Sequence, residues 1–132
     1  MKQLMILILA LTLPALASAH EGHDKAPGAV SAPHGGLVSG ASHIDLELVT
    51  TDNGIKIYPF DSEMKPIPLD QVKMQGTATF PRKGKSVAVK FAKDADAYAA
   101  QVDAKGANRY ALEVTVTHQG KTEKVKFNVE PR

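Results

Sequence analysis

RYALEVTVT at residues 109–117 and EKVKFNVE at residues 123–130 carry the clearest strand signal in the chain. In both runs apolar and polar residues alternate, so each strand would bury one face and expose the other. The Gln119-Gly120-Lys121 segment between them has the composition of a tight turn. The two runs together therefore predict an antiparallel β-hairpin.

Five further segments toward the N-terminus have the length and residue types of strands, with turn residues such as Asp52-Asn53-Gly54 between them. No segment shows a helical period longer than one turn. About seven short strands at this spacing predict an all-β, immunoglobulin-like β-sandwich over residues 41–132, although the cysteines and tryptophan that pin antibody domains are absent. The five segments are residues 43–48, 55–60, 74–80, 86–91 and 96–102.

The N-terminus has the three parts of a secretory signal. Lys2 supplies a positive start, residues 4–13 are almost entirely apolar, and Ala17-Ser18-Ala19 has the small-x-small form of a cleavage site. The apolar run is too short to span a membrane, which takes about 20 residues. We therefore expect a cleaved signal peptide over residues 1–19, function outside the cytoplasm and no membrane attachment after cleavage.

Composition excludes several classes of function. The 16 Lys+Arg and 14 Asp+Glu residues are interspersed, and no basic stripe indicates nucleic-acid binding. The chain has no cysteine, so it can form neither disulfides nor thiolate metal sites. No nucleophile elbow, phosphate-binding loop or zinc-protease motif is present. We therefore expect a protein that is not an enzyme.

The histidines are the most informative residues for function. Four of the five, His20, His23, His34 and His43, fall near the predicted mature N-terminus. Neutral imidazole is the commonest protein ligand for zinc, copper and nickel. These four histidines are the predicted ligands of a transition-metal ion, with copper or zinc as the expected cofactor. Residues 20–40, rich in Gly, Ala, Ser and Pro, are predicted to form a flexible arm that carries the first three.

Two other interpretations remain open at this stage. The histidines can be incidental, and the domain would then be a protein-interaction module that binds through a sheet edge or loop. Alternatively, cleavage after Ala19 would make His20 the N-terminal residue, whose amine and ring could build a copper site. His118 is expected at a plain hairpin position. Asp45 and Glu47 are expected to share a strand face with His43. There they would be either ordinary solvated residues or, like Asp24, outer-shell partners of the metal ligands.

Several segments resemble a periplasmic module of heavy-metal resistance systems. They are EGHD at 21–24, APHGGLV at 32–38, the strand at 43–49 and GIKIY at 54–58. Similar segments occur near the N-termini of adaptor (membrane-fusion) subunits of metal-efflux pumps and in small periplasmic proteins. The resemblance implies that the protein binds copper, zinc, cobalt or nickel in the periplasm, mainly through His34, and has an efflux-pump component as partner. No adaptor hairpin or lipoyl segment follows in this sequence, so we expect a free-standing module rather than a whole adaptor.

Overall fold

In the computed structural model, which describes residues 32–82 and 84–132, the two alternating C-terminal runs form one long hairpin. Its two-residue turn, Gln119-Gly120, has positive φ angles of 51° and 75°. Such a turn matches the right-handed twist of the strands that it joins. Glycine at the second position adopts this conformation without the steric penalty that a side chain would bring.

The described residues form nine strands and one short 3-10 helix, Leu69–Gln71. All pairings between the strands are antiparallel. The strands are β1 Leu37–Gly40, β2 Asp45–Thr50, β3 Gly54–Phe60, β4 Val72–Thr79, β5 Ser86–Val89, β6 Ala92–Asp94, β7 Ala97–Gln101, β8 Tyr110–His118 and β9 Lys121–Val129.

The strands make two sheets. The first has the order β1-β2-β3-β7-β6 and the second has the order β5-β4-β8-β9. Leaving β1 aside, these orders match the A-B-E-D and C′-C-F-G sheets of an immunoglobulin-type sandwich. The predicted all-β sandwich is therefore confirmed.

Two strands are present that the alternation did not predict. Strand β1, Leu37–Gly40, pairs with β2 although its sequence, Leu-Val-Ser-Gly, alternates weakly. The first sheet thus begins inside the segment that was predicted to be an arm up to Gly40. Strand β6, Ala92–Asp94, has three exposed residues, so no pattern of burial marks it. Both are edge strands, which hydrogen bonding to a neighbour can define without burial.

The core lies between the two sheets and is filled by the alternating apolar residues. Leu46 and Leu48 of β2 and Ile57 of β3 face Leu112 and Val114 of β8 across the sandwich, each at most 1% exposed. Because Leu46 and Leu48 point inward, Glu47 between them points to the outer face of the first sheet.

Tyr98 of β7 ties the two sheets together inside this core. Its hydroxyl oxygen lies 2.6 Å from the carbonyl oxygen of Val72 and 3.0 Å from that of Leu69. Val72 begins β4 in the second sheet, and Leu69 begins the 3-10 helix that leads into it. The hydroxyl therefore fixes where the chain enters the second sheet.

Residues 1–31 lie outside the described part of the chain. The predicted signal peptide, most of the predicted arm, His20 and His23 all fall there. Across residues 32–82 and 84–132, no helix combines the length and apolar character needed to cross a lipid bilayer.

Removing the Tyr98 hydroxyl should destabilise the fold. In Tyr98→Phe the buried carbonyl groups lose their donor, and we expect the free energy of unfolding to fall by about 1–3 kcal/mol. Urea unfolding followed by circular dichroism measures this. The matched control is Tyr110→Phe, also in the core, whose hydroxyl is bonded to no carbonyl within the described residues and whose loss should change stability by less than about 0.5 kcal/mol. Equal effects of the two variants would contradict the role assigned to Tyr98.

Candidate metal centre

A tight turn carries His34 onto the outer face of the first sheet. The amide N–H of Gly35 donates to the carbonyl of Ala32 at 3.0 Å, and Gly35 has a φ of 73°. A side chain at Gly36 would collide with the carbonyl of Leu48. The first glycine thus supplies the left-handed backbone conformation, and the second allows the turn to approach β2 closely.

Beneath this turn lies Glu47, whose side chain is fully buried. Its Oε1 accepts hydrogen bonds from the amide N–H groups of His34, at 2.7 Å, and of Gly36, at 3.0 Å. Its Oε2 lies 2.8 Å from Nδ1 of His34. A buried carboxylate needs such partners to offset its lost hydration. The prediction of a solvated face for Glu47 is therefore wrong, because the turn covers this part of the strand.

The ring of His34 is held in place by a hydrogen bond to Glu47 and by stacking on Tyr58. Its centroid lies 3.7 Å from that of Tyr58, with an interplanar angle of 12°. Phe60 lies next to it, with ring centroids 6.4 Å apart. The side chain remains 36% exposed. Since Glu47 engages Nδ1, the nitrogen left for a ligand is Nε2, which accepts no hydrogen bond within residues 32–82 and 84–132.

His43 repeats this geometry on the second sheet. Its amide N–H donates to Oε2 of Glu123 at 3.3 Å, and its Nδ1 lies 2.9 Å from Oε1 of the same carboxylate. Its Nε2 lies 3.1 Å from Nζ of Lys121. His43 precedes β2 and turns toward β9, so it does not share the outer face of Glu47 as the alternation suggested.

The structure thus holds the two described candidate ligands apart, each on its own carboxylate. Among the residues that the structure describes, no three His, Asp or Glu side chains lie close enough together to hold an ion as they stand. His20 and His23 lie outside the described residues, so their part in the ligand set stays a prediction. His34 is the candidate whose second nitrogen is available without any rearrangement.

Of the two carboxylates that orient these rings, sequence reasoning named Glu47 as a possible outer-shell partner and missed Glu123. Glu47 carries one usable signal, since it stands between Leu46 and Leu48 in a strand that a covering turn could bury on both faces. Glu123 and Lys121 carry no sequence signal of their contact with His43, because both are far from it in sequence. His118 was predicted at a plain hairpin position, yet it lines the same cleft as His43.

Glu123 also has a perturbed acidity. The side-chain hydrogen bond from His43 holds the pKa of its carboxyl below the ordinary value of 4.5, and the His43 amide and the charge of Lys121 add to this. Desolvation acts in the opposite direction but is outweighed. The carboxylate is therefore the favoured form of Glu123 at neutral pH, which suits its role as acceptor.

Neutralising Glu47 should loosen the turn. In Glu47→Gln an amide group replaces one carboxylate oxygen and cannot accept from every N–H donor of the turn, so we expect a loss of about 1–3 kcal/mol in the free energy of unfolding. The control is Glu113→Gln on the outer face of β8, where a partly exposed ion pair with Lys124 is lost and the expected change is below about 1 kcal/mol. A Glu47→Gln protein as stable as the control would refute this account of the buried carboxylate.

The lowered pKa of Glu123 makes a prediction about acid stability. A carboxyl whose pKa is lower in the folded state stabilises the fold fully above its unfolded value and loses that effect as the pH falls through the folded value. The stability difference between the parent protein and His43→Ala should therefore shrink as the pH falls below 4.5. Urea unfolding at several pH values between neutrality and the acid range measures it. His118→Ala serves as control, and a parallel shrinkage there would count against the His43–Glu123 interaction.

The chain was compared with family models, with curated proteins and with solved structures. None of them matches it.

Proposed function

We propose that the protein binds a transition-metal ion in the periplasm through Nε2 of His34, and that it buffers this ion or delivers it to a heavy-metal efflux or resistance system. The observation that carries the proposal is the buried Glu47 carboxylate on Nδ1 of His34. In metal sites, a ligating histidine commonly donates its other ring N–H to a carboxylate, which fixes the tautomer and strengthens the ligand.

The contacts of Glu47 do more than attach the turn to the sheet. Oε1 of Glu47 already anchors the turn by accepting two amide N–H groups. The additional bond from Oε2 to the ring has a different effect, because it orients the imidazole and selects Nε2 as the free donor. Stacking on Tyr58 holds the plane of the ring. A ligand nitrogen placed this way loses little conformational freedom when an ion binds.

A single imidazole is too few ligands to hold an ion. We therefore propose His20 and His23 as further ligands. Both precede His34 within a short stretch of sequence. His43, the fourth predicted ligand, is engaged instead by Glu123 and Lys121 of β9. Histidine ring nitrogens as donors suit Cu(II), Zn(II), Ni(II) and Co(II). The general order of stability for such donors places copper first.

Calorimetric titration of the mature protein with each of the four ions tests this proposal. We expect the titration to include a site of micromolar affinity or tighter that His34→Ala removes. Glu47→Gln should weaken binding by about 10- to 100-fold, because the ring loses the partner that orients it. Glu113→Gln, which changes charge equally but far from the turn in sequence, should leave the affinity within about twofold.

Two results would overturn the proposal. One is an affinity no greater than that of a synthetic peptide spanning residues 20–34, which would mean that the fold contributes nothing. The other is equal binding by the parent protein and by His34→Ala. In either case the protein is better treated as a β-sandwich interaction module whose histidines are incidental.

A further inference from the structure

A cleft at one end of the sandwich brings together residues that are far apart in the sequence. It has a volume of about 350 Å³, and its lining includes His43, His118 and Gln71. His118 is the last residue of β8, on the inward face shared by Val114 and Val116. The two imidazoles thus face one small volume, although they are far apart in sequence.

Lys121 places a cation on the ring of His43, which lines this cleft. Nδ1 of His43 is held by Glu123, so Nε2 is the nitrogen that accepts a hydrogen bond from the Lys121 ammonium, at 3.1 Å. The three groups thus lie in series, with the Glu123 carboxylate on one side of the His43 imidazole and the Lys121 ammonium on the other. This is the order found when a histidine supported by a carboxylate binds a metal ion. The ammonium therefore occupies the position that an ion on Nε2 would take.

His118 lies directly opposite Lys121 in the β8–β9 register. Side chains of directly opposed residues project from the same face, with Cβ atoms about 5 Å apart. The His118 ring is thus a neighbour of the lysine stem whose end contacts His43. Displacement of the ammonium would leave Nε2 of His43 open at the cleft that His118 also lines.

We propose that this cleft is a second metal-ion site, with Nε2 of His43 and the ring of His118 as its protein ligands. Glu123 is a positioning residue that fixes the His43 ring, and Lys121 is an internal competitor that an incoming ion displaces. Two imidazoles favour Cu(II) and Ni(II) among divalent ions. The site goes beyond the proposed function, because neither His34 nor the histidines before it take part.

The competition from Lys121 is weak enough for an ion to overcome. Lys121 and His43 are both exposed, and an exposed polar interaction of this kind corresponds to a factor of roughly two to five in an equilibrium constant. Lysine therefore lowers the affinity of the cleft without closing it. Removing its charge should also remove repulsion of the ion, so the gain in affinity should reach about fivefold or more.

The test is titration with Cu(II) in a His34→Ala background, read by paramagnetic broadening of the ring proton signals of His43 and His118. We expect both rings to broaden over the same range of Cu(II) concentration. Lys121→Met and Lys121→Gln should each lower the midpoint about fivefold or more. Lys124→Met, on the outer face of the same strand where it pairs with Glu113, removes the same charge and should shift the midpoint less than about twofold.

His43→Ala decides whether the two rings act together. If they share an ion, this variant should raise the Cu(II) midpoint of His118 broadening at least tenfold, with the urea unfolding midpoint confirming that the fold is intact. Unchanged broadening of His118 in His43→Ala, or equal shifts in Lys121→Met and Lys124→Met, would overturn the proposal. Because His34 is absent throughout, failure of the His34 site leaves this result intact, and the reverse also holds.

Discussion

The outer face of the first sheet depends on one buried carboxylate. Glu47 has no exposed side-chain surface, and its bonds to protein donors come from the turn at residues 34–36. A carboxylate in such a place is tolerated only while its donors are present, since an uncompensated buried charge is strongly destabilising. The turn and strand β2 are therefore mutually dependent. The position of the His34 ring follows from the same dependence.

The same glutamate–histidine interaction occurs twice in the part of the molecule that the structure describes. In each case a glutamate on a strand accepts from the backbone N–H of a histidine and also from Nδ1 of its ring, once at Glu47 and once at Glu123. The histidine lies outside the strands in both cases, and in both the nitrogen that remains is Nε2. The two copies differ in exposure and in what stands at that nitrogen: Lys121 contacts His43, whereas His34 carries no such neighbour within the described residues. The two imidazoles thus differ in whether a cationic side chain already contacts Nε2.

The sequence alone predicted the class of the fold well, because alternation is a local property of a strand. The hairpin of β8 and β9 could be identified from its period and its Gln119-Gly120 turn. Strand β6 could not, because pairing rather than burial defines it. The candidate site was harder to predict from the sequence. His34 was singled out as a candidate ligand, and the structure places it in a tight turn with Gly35 and Gly36. The burial of Glu47, however, arises only when this turn folds onto a strand 11 to 13 residues away. The partner of His43 is 80 residues away in sequence, and no local pattern encodes it.

The stacking of His34 on Tyr58 has a spectroscopic consequence. The chain has no tryptophan and three tyrosines. Two of them, Tyr98 and Tyr110, are buried in the core, whereas Tyr58 lies against the imidazole with ring centroids 3.7 Å apart. An open-shell ion on that imidazole would be near enough to Tyr58 to quench its fluorescence far more strongly than that of the core tyrosines. The protein therefore contains its own optical reporter for the occupancy of His34, and no label need be added.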